Sequence, residues 1–207
     1  MSFEVDVSVR RGDRIIAARF VTGSGITALF GPSGAGKTSV LDMVAGLVRP
    51  DSGRVVVGGE VLFDAAAGND VPPERRRCGY VFQDLRLFPH RRVRDNLLFG
   101  WRLAPPEARW LSLEAACGFL GIGHLLDRAP ASLSGGEAQR VAIGRALLSG
   151  PRFLAMDEPL SSLDLPRREE ILKVVERIRD ELNLPILYVT HDPDELARLA
   201  ATVVRLG

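Results

Sequence analysis

The chain has 207 residues and a formal net charge of +1, enough length for one α/β domain with an insertion and no global field that would draw it to DNA or an anionic membrane. Its two cysteines, Cys78 and Cys117, lack metal-ligand spacing and read as free thiols of a reducing compartment. No run approaches the roughly 18 apolar residues of a membrane span, and the charged start "MSFEVDVSVRRGD" is no secretory signal, so work at a membrane is expected to go through a partner.

From the N-terminus, "FEVDVSV" alternates at period two and predicts a strand, "GITALF" predicts a short buried strand, and "RVVVGGEVLF" predicts a hairpin turning at Gly58 and Gly59. Between the last two, "GKTSVLDMVAGL" has helical spacing and stops at Gly46. Three further strands are predicted at "GYVF" (79–82), "FLAM" (153–156) and "PILYVT" (185–190). The helical patterns "GGEAQRVAIGRALL" and "RREEILKVVERIRDEL" precede the last two. Such alternation implies an α/β fold with a mostly parallel sheet, its faces covered, and the N-terminal hairpin as an added antiparallel edge. Residues 85 to about 148 break the rhythm, with two prolines at 105 and 106 and helical stretches such as "PEARWLSLEAACGFLG". They read as a helical unit (85–148) inserted in a core made of 1–84 and 149–207, with Trp101 and Trp110 as packing anchors.

"GPSGAGKT" fits the phosphate-binding P-loop, with Gly31, Gly36, Lys37 and Thr38 in register and Pro32, Ser33, Gly34, Ala35 and Ser39 completing the stretch. Glycines let backbone N–H groups face phosphates, the helix start adds its dipole, the lysine reaches the outer phosphates and the threonine hydroxyl suits Mg²⁺. "FLAMDEP" ends an apolar strand in Asp157 and Glu158, at the sheet edge where open α/β sheets bind ligands. Asp157 suits Mg²⁺, directly or through water, and Glu158 suits a proton-accepting role toward an attacking water. Alone, the pair would equally fit a surface turn aided by Pro159; beside a P-loop the chemical reading is favoured. Gln83 and His191 follow two other apolar runs. Such a histidine suits a γ-phosphate oxygen, and such a glutamine suits water orientation or the Mg²⁺ shell. His90 and His124 read as surface or satisfied core residues rather than catalytic ones.

"LSGGEAQR" contains a capping box, with Ser134 as N-cap and Glu137 three residues on. The box leaves Gly135 and Gly136 unexplained, because glycine costs a helix about 1 kcal/mol relative to alanine. Bare N–H groups at a helix start bind anions, so the stretch reads as a second phosphate-binding helix end.

Taken together, "GPSGAGKT", "LSGGEAQR", "MDEP", "SSLD" and "VTHD", in this order, resemble the ATP-binding subunits of ABC transporters over essentially the whole chain. The resemblance implies a P-loop NTPase with a RecA-like core and a helical subdomain, hydrolysing ATP with Mg²⁺ held by Thr38, Gln83 and Asp157. It implies a head-to-tail homodimer in which Ser134, Gly135 and Gly136 of one copy grip the γ-phosphate on the other's P-loop, with Glu137 completing that stretch. Ser161, Ser162, Leu163 and Asp164 would cross that interface, Gln83 would link the site to the membrane subunit, and Glu158 and His191 would be the base and the switch histidine. Glu137 stands where most of the family has glutamine, and is read as a capping residue only.

The stretches "GITALFGPSGAGKTSVLDMVAGLVRPDSG", "RRRCGYVFQDLRLFPHRRVRDNL" and "LDRAPASLSGGEAQRVAIGRALL" are most similar to ATPases of molybdate importers. That implies a peripheral subunit on the cytoplasmic face of the membrane, an integral permease, indirectly a periplasmic or lipid-anchored binding protein, and no nucleic acid. Import of tungstate, sulfate or thiosulfate stays open, as do a soluble ABC ATPase without transport and a P-loop kinase. There are two departures. The stretch "SVRRGD" offers Arg10 and Arg11 where many members stack an aromatic residue on adenine, and the sequence given ends at "VVRLG" without the C-terminal oxyanion-binding domain usual in the subgroup, which reads either as a short version or as a piece of a longer protein, with regulation through that domain expected to be absent.

Overall fold

The computed structural model describes residues 2–207. It opens with β1 (Phe3–Arg11) and β2 (Arg14–Thr22), paired antiparallel, followed by β3 (Ile26–Phe30), α1 (Lys37–Ala45) and the hairpin of β4 (Ser52–Val57) and β5 (Glu60–Asp64), with a two-residue β6 (Asn69–Asp70). β7 (Cys78–Val81) comes next, and then α2 (Val93–Leu103), α3 (Leu113–Leu120) and α4 (Gly135–Leu148) with no strand among them. β8 (Phe153–Asp157), α5 (Leu165–Arg177), β9 (Ile186–Thr190), α6 (Pro193–Leu199) and β10 (Thr202–Arg205) close the fold.

The strands form two sheets, of order β2-β1-β4-β5-β6 and β10-β3-β9-β8-β7. Every pairing in the first is antiparallel and every pairing in the second is parallel. The N-terminal strands are therefore a sheet of their own, not an edge added to the parallel one. β1 alternates one-sidedly: Phe3, Val5, Val7 and Val9 are buried while Asp6 is exposed, so this sheet covers one apolar layer and faces water on the other side.

That layer is α1 together with one face of the parallel sheet. Val40, Leu41 and Val44 of α1 share a core with Phe3, Val5, Val55 and Phe63 of the first sheet and with Phe153, Ala155, Leu187 and Val189 of the second. The sheets touch directly where the Phe3 and Phe153 rings meet edge to face, 5.9 Å apart. The intervening residues Leu154, Met156, Ile186 and Tyr188 point the other way, into a core with Val141, Ile143 and Leu147 of α4 and with residues of α2, α3 and α5. Successive residues of β8 and β9 thus serve two cores, which is why both strands are continuous apolar runs.

Two sequence expectations change in the helical stretch. "PEARWLSLEAACGFLG" is not one helix: a 3₁₀ turn over Pro106–Ala108 precedes α3, which starts anew where the Ser112 hydroxyl accepts the Ala115 N–H at 3.1 Å. Trp101 packs on the helical core with the Arg109 guanidinium 4.3 Å above its ring, whereas Trp110 is exposed.

Candidate functional site

The two helix starts singled out in the sequence, those of α1 and α4, are built differently. At α1 the N-cap is Gly36, in a left-handed conformation (φ 89°) with no side-chain cap, so the first-turn N–H groups face the loop. A Cβ on Gly36 would meet Ile16 of β2 at 2.6 Å, and one on Gly31 would collide with the Leu206 carbonyl, so the loop is gripped from both sides. Lys37 is buried; its Nζ donates to the carbonyl oxygens of Gly31 (2.8 Å) and Pro32 (2.9 Å). Of the rest of the loop, Pro32, Ser33 and Gly34 are exposed, Ala35 and Ser39 half-buried, and Ala35 N–H closes a turn onto Pro32.

The ends of β7, β8 and β9 converge beside this loop. Thr38 donates its hydroxyl to Asp157 Oδ1 at 3.0 Å. Burial pushes the Asp157 carboxyl above its ordinary value, offset in part by that hydroxyl. Glu158 adopts φ 41°, an uncommon conformation for a residue with a side chain, in a turn whose N–H bonds to the Val189 carbonyl at 3.1 Å. Its carboxylate lies 3.9 Å from Lys37 Nζ through one oxygen and 3.2 Å from His191 Nδ1 through the other. Gln83 Nε2 reaches the Ser161 hydroxyl at 3.4 Å, and that hydroxyl donates to the Glu158 carbonyl at 3.0 Å. Thr38, Gln83, Asp157, Ser161 and Ser162 line one cleft of about 690 Å³.

Sequence reasoning missed other members of that cleft. Asp42, one turn beyond Thr38 on α1, accepts the Tyr80 hydroxyl at 2.8 Å, and burial raises the pKa of both groups. Tyr80 stacks on Phe82 (4.1 Å), and the Arg86 guanidinium covers Phe82 from 4.1 Å. Beyond Gln83 the backbone of Leu85 (φ 59°) and Arg86 (φ 45°) is left-handed, and Arg145 of α4 binds both carbonyls, at 2.7 and 2.5 Å. An apolar run ending in Gln or Tyr signals a strand end; nothing local signals that an arginine some sixty residues away will latch it.

At α4 the capping box is formed: Ser134 Oγ accepts the Glu137 N–H (3.4 Å) and Glu137 Oε2 accepts the Ser134 N–H (2.7 Å). The Ser134 N–H pulls the Glu137 pKa below its ordinary value, with its hydroxyl and Arg128 assisting. Gly135 and Gly136 keep free N–H groups between the two box residues. A Cβ on Gly135 would press on Leu163 at 3.1 Å, so this glycine has a packing reason within the chain. A Cβ on Gly136 would meet only the aliphatic part of Arg167, at an ordinary 3.5 Å, so nothing within the chain demands glycine there. Asp164 caps α5 by accepting the Arg167 N–H at 3.1 Å. Among the described residues, no hydrogen bond or ion pair joins Ser134–Glu137 to the Gly31–Ser39 loop.

The oxygen set of Thr38, Gln83 and Asp157 is hard and sparse. No group of three or more His, Cys, Asp or Glu side chains is placed to hold a metal alone among the described residues. The oxygen set fits Mg²⁺, which keeps several waters and is commonly held by one or two carboxylates plus substrate phosphates. Arg10 and Arg11, on the β1–β2 hairpin, are exposed.

Comparison with known proteins agrees with this geometry. A family described as "ABC transporter" matches residues 21–161. The molybdenum import ATP-binding protein ModC of Mesorhizobium japonicum is 55% identical over 207 residues, covering 100% of this chain and 56% of that protein. Its namesake from Rhodospirillum rubrum is 56% identical over 204 residues, covering 99% and 55%. The chain thus spans about half the length of the curated relatives it matches. Among solved structures, cbiO1 of Clostridium perfringens, part of the transporter complex cbiONQ, superposes with a TM-score of 0.81 at 27% identity, covering 99% of this chain and 86% of that one. A bacterial ABC transporter cassette solved as a dimer gives 0.78 at 25%, covering 99% and 93%. Two uncapped or half-capped helix starts, an acid pair on a strand end and this shared fold have one origin: the chain belongs to the ABC transporter family.

Proposed function

We propose that this chain hydrolyses ATP to drive import of molybdate, or the similar tungstate, through a membrane permease. The observation that carries the hydrolytic reading is Glu158, whose two carboxylate oxygens face Lys37 Nζ and His191 Nδ1, beside the Thr38–Asp157 pair. The molybdate reading rests on relatives named for molybdenum import at 55% and 56% identity.

In this mechanism the α1 N–H groups and Lys37 hold the outer phosphates, and Thr38, Asp157 and Gln83 hold the metal. Mg²⁺, held there with the nucleotide, would supply positive charge to the phosphoryl group being transferred. Glu158 accepts the proton of the attacking water, and His191 orients that carboxylate and reaches the γ-phosphate. Phosphoryl transfer needs positioning and charge more than covalent chemistry, which suits a site made of one lysine, one carboxylate and backbone N–H groups.

The second anion site, Ser134–Glu137, serves a nucleotide on another copy of the chain. Support comes from Gly136: it weakens α4 by about 1 kcal/mol, and no contact within the chain requires it. Ser161–Asp164 lies beside it through Leu163 and forms part of the same interface. We take 85–148 as the subdomain bearing this site, and 1–84 with 149–207 as the nucleotide core. The permease is placed against the Gln83 loop and "LRLFPHRRVRDN". Among the described residues no helix is long and apolar enough to cross a membrane. Attachment through the permease would put the chain at the cytoplasmic face, with a binding protein engaged only indirectly.

Glu158→Gln should retain ATP binding, lose hydrolysis by a factor of about 10² or more, and accumulate an ATP-bound dimer in size-exclusion chromatography with light scattering. Turnover equal to wild type in that variant would remove Glu158 as the base. Uptake of labelled molybdate against sulfate, by vesicles holding the full-length protein, its permease and its binding protein, tests the cargo. Preference for sulfate would replace molybdate in this reading.

A further inference from the structure

Arg168, in the first turns of α5, joins two loops that no sequence pattern links. Its Nε donates to the Leu160 carbonyl oxygen at 3.2 Å, at the entrance to Ser161–Asp164. Its terminal nitrogens reach Asp192 Oδ2 at 3.0 Å and Glu195 Oε1 at 3.2 Å. Asp192 directly follows His191. Glu195 is buried and also accepts the hydroxyls of Tyr188 (2.9 Å) and Thr190 (2.8 Å), while the Thr190 oxygen accepts the Asp192 N–H at 3.0 Å. His191 is therefore bracketed by Thr190 and Asp192, both tied to the Arg168–Glu195 pair.

Through the Leu160 carbonyl the same guanidinium also holds the chain just after Glu158. Leu160 stands two residues after it, and the Glu158 carbonyl accepts both the N–H and the hydroxyl of Ser161. One planar fork thus fixes the backbone on both sides of the 3.2 Å contact between Glu158 and His191. Holding α6 onto α5 does not need it, because Arg198 of α6 already binds Glu169 and Glu176 of α5 at 2.6 to 2.9 Å.

We infer that Arg168, with Glu195, is a positioning residue that sets the Glu158–His191 contact and ties it to the conformation of the Ser161–Asp164 loop. The inference rests on the hydrolytic reading above. If a second copy engages that loop, a shift at Leu160 reaches His191 through three bonds of one side chain.

Removing the guanidinium alone strands a buried carboxylate and destabilises the fold, so the test pairs Arg168→Met with Glu195→Gln. The amide keeps an oxygen for the Tyr188 and Thr190 hydroxyls and leaves no unpaired buried charge. Full-length protein is assayed for Mg-ATP hydrolysis, with Glu158→Gln as the inactive control, and the histidine side chains are followed by ¹H–¹⁵N NMR. The double variant is expected to melt as a folded protein, keep its KM for ATP within about twofold and lose about tenfold or more in kcat. The His191 imidazole signal should move while those of His90 and His124 stay. Arg168→Lys, which reaches fewer of the three acceptors, should fall between. Wild-type protein without turnover would sink the hydrolytic reading and this inference together. Wild-type turnover with a double variant equal to it in kcat and in the His191 signal would overturn the role of Arg168 alone.

Discussion

Gly136 and Glu137 sit side by side at the start of α4, and each carries a separable prediction. Alanine at 136 meets only ordinary contacts with Arg167, so Gly136→Ala should raise stability by about 0.5–1 kcal/mol in chemical denaturation. The same change puts a methyl group over a free N–H that the proposed function assigns to phosphate, and phosphate-release assays should record at least a tenfold loss of turnover. A variant both more stable and fully active would remove the anion role of this helix end. Glu137 acts through charge. Its folded pKa lies below the ordinary 4.5, held there first by the Ser134 N–H, so its contribution is complete above pH 4.5 and disappears as pH falls through the folded value. Glutamine completes the box at any pH. Denaturation midpoints should therefore show Glu137→Gln no more stable than wild type at pH 7, and gaining on it below pH 4.5. Residues of this kind are legible in sequence because a cap, a P-loop or a strand-end acid is defined by neighbours a few positions away. Arg168 and Ile16 are not, since their partners belong to other elements brought near only by folding.

At the level of elements, the segment after Gln83 depends on α4. Two consecutive side-chain-bearing residues, Leu85 and Arg86, are left-handed, a conformation that surrounding contacts must hold. Arg145 supplies them by binding both carbonyls. Arg145→Met should lower stability by about 2 kcal/mol, about 5 °C in melting temperature for a chain of this size, and speed hydrogen exchange at the Leu85 and Arg86 amides. Unchanged exchange there would mean the segment holds itself. Most elements were readable from the sequence: the strands ending in Asp157 and Thr190 are apolar runs because they face two cores, and α1 stops at Gly46 because its φ of 84° suits glycine. The pairing of β1 was not. Period-two alternation states that a strand has one wet face, and says nothing of whether its partners lie in the parallel sheet or in a separate one.

At the scale of the whole molecule, the proposed function assigns the two halves of the site to separate copies, and mixing distinguishes that arrangement from two independent sites. Lys37→Ala disables the P-loop half and Ser134→Arg the Ser134–Glu137 half, so each homodimer should be inactive. A mixed dimer recovers one intact site and loses both halves of the other. Equimolar mixing should therefore restore up to about a quarter of wild-type hydrolysis, as expected for random pairing in a two-fold symmetric dimer. No recovery on mixing would place both anion sites in the service of a single chain.

The chain has two tryptophans, and both lie between β7 and β8: Trp101 on α2 beneath an arginine, Trp110 open to solvent ahead of α3. Neither lines the cleft of Thr38 and Asp157, where Tyr80 is the neighbouring chromophore. Fluorescence excited selectively through indole therefore reports on the helical stretch rather than on the cleft of Thr38 and Asp157. Single-tryptophan forms would give separate reports, Trp101 on the packing of α2 and Trp110 on the approach to α3, with no dye attached.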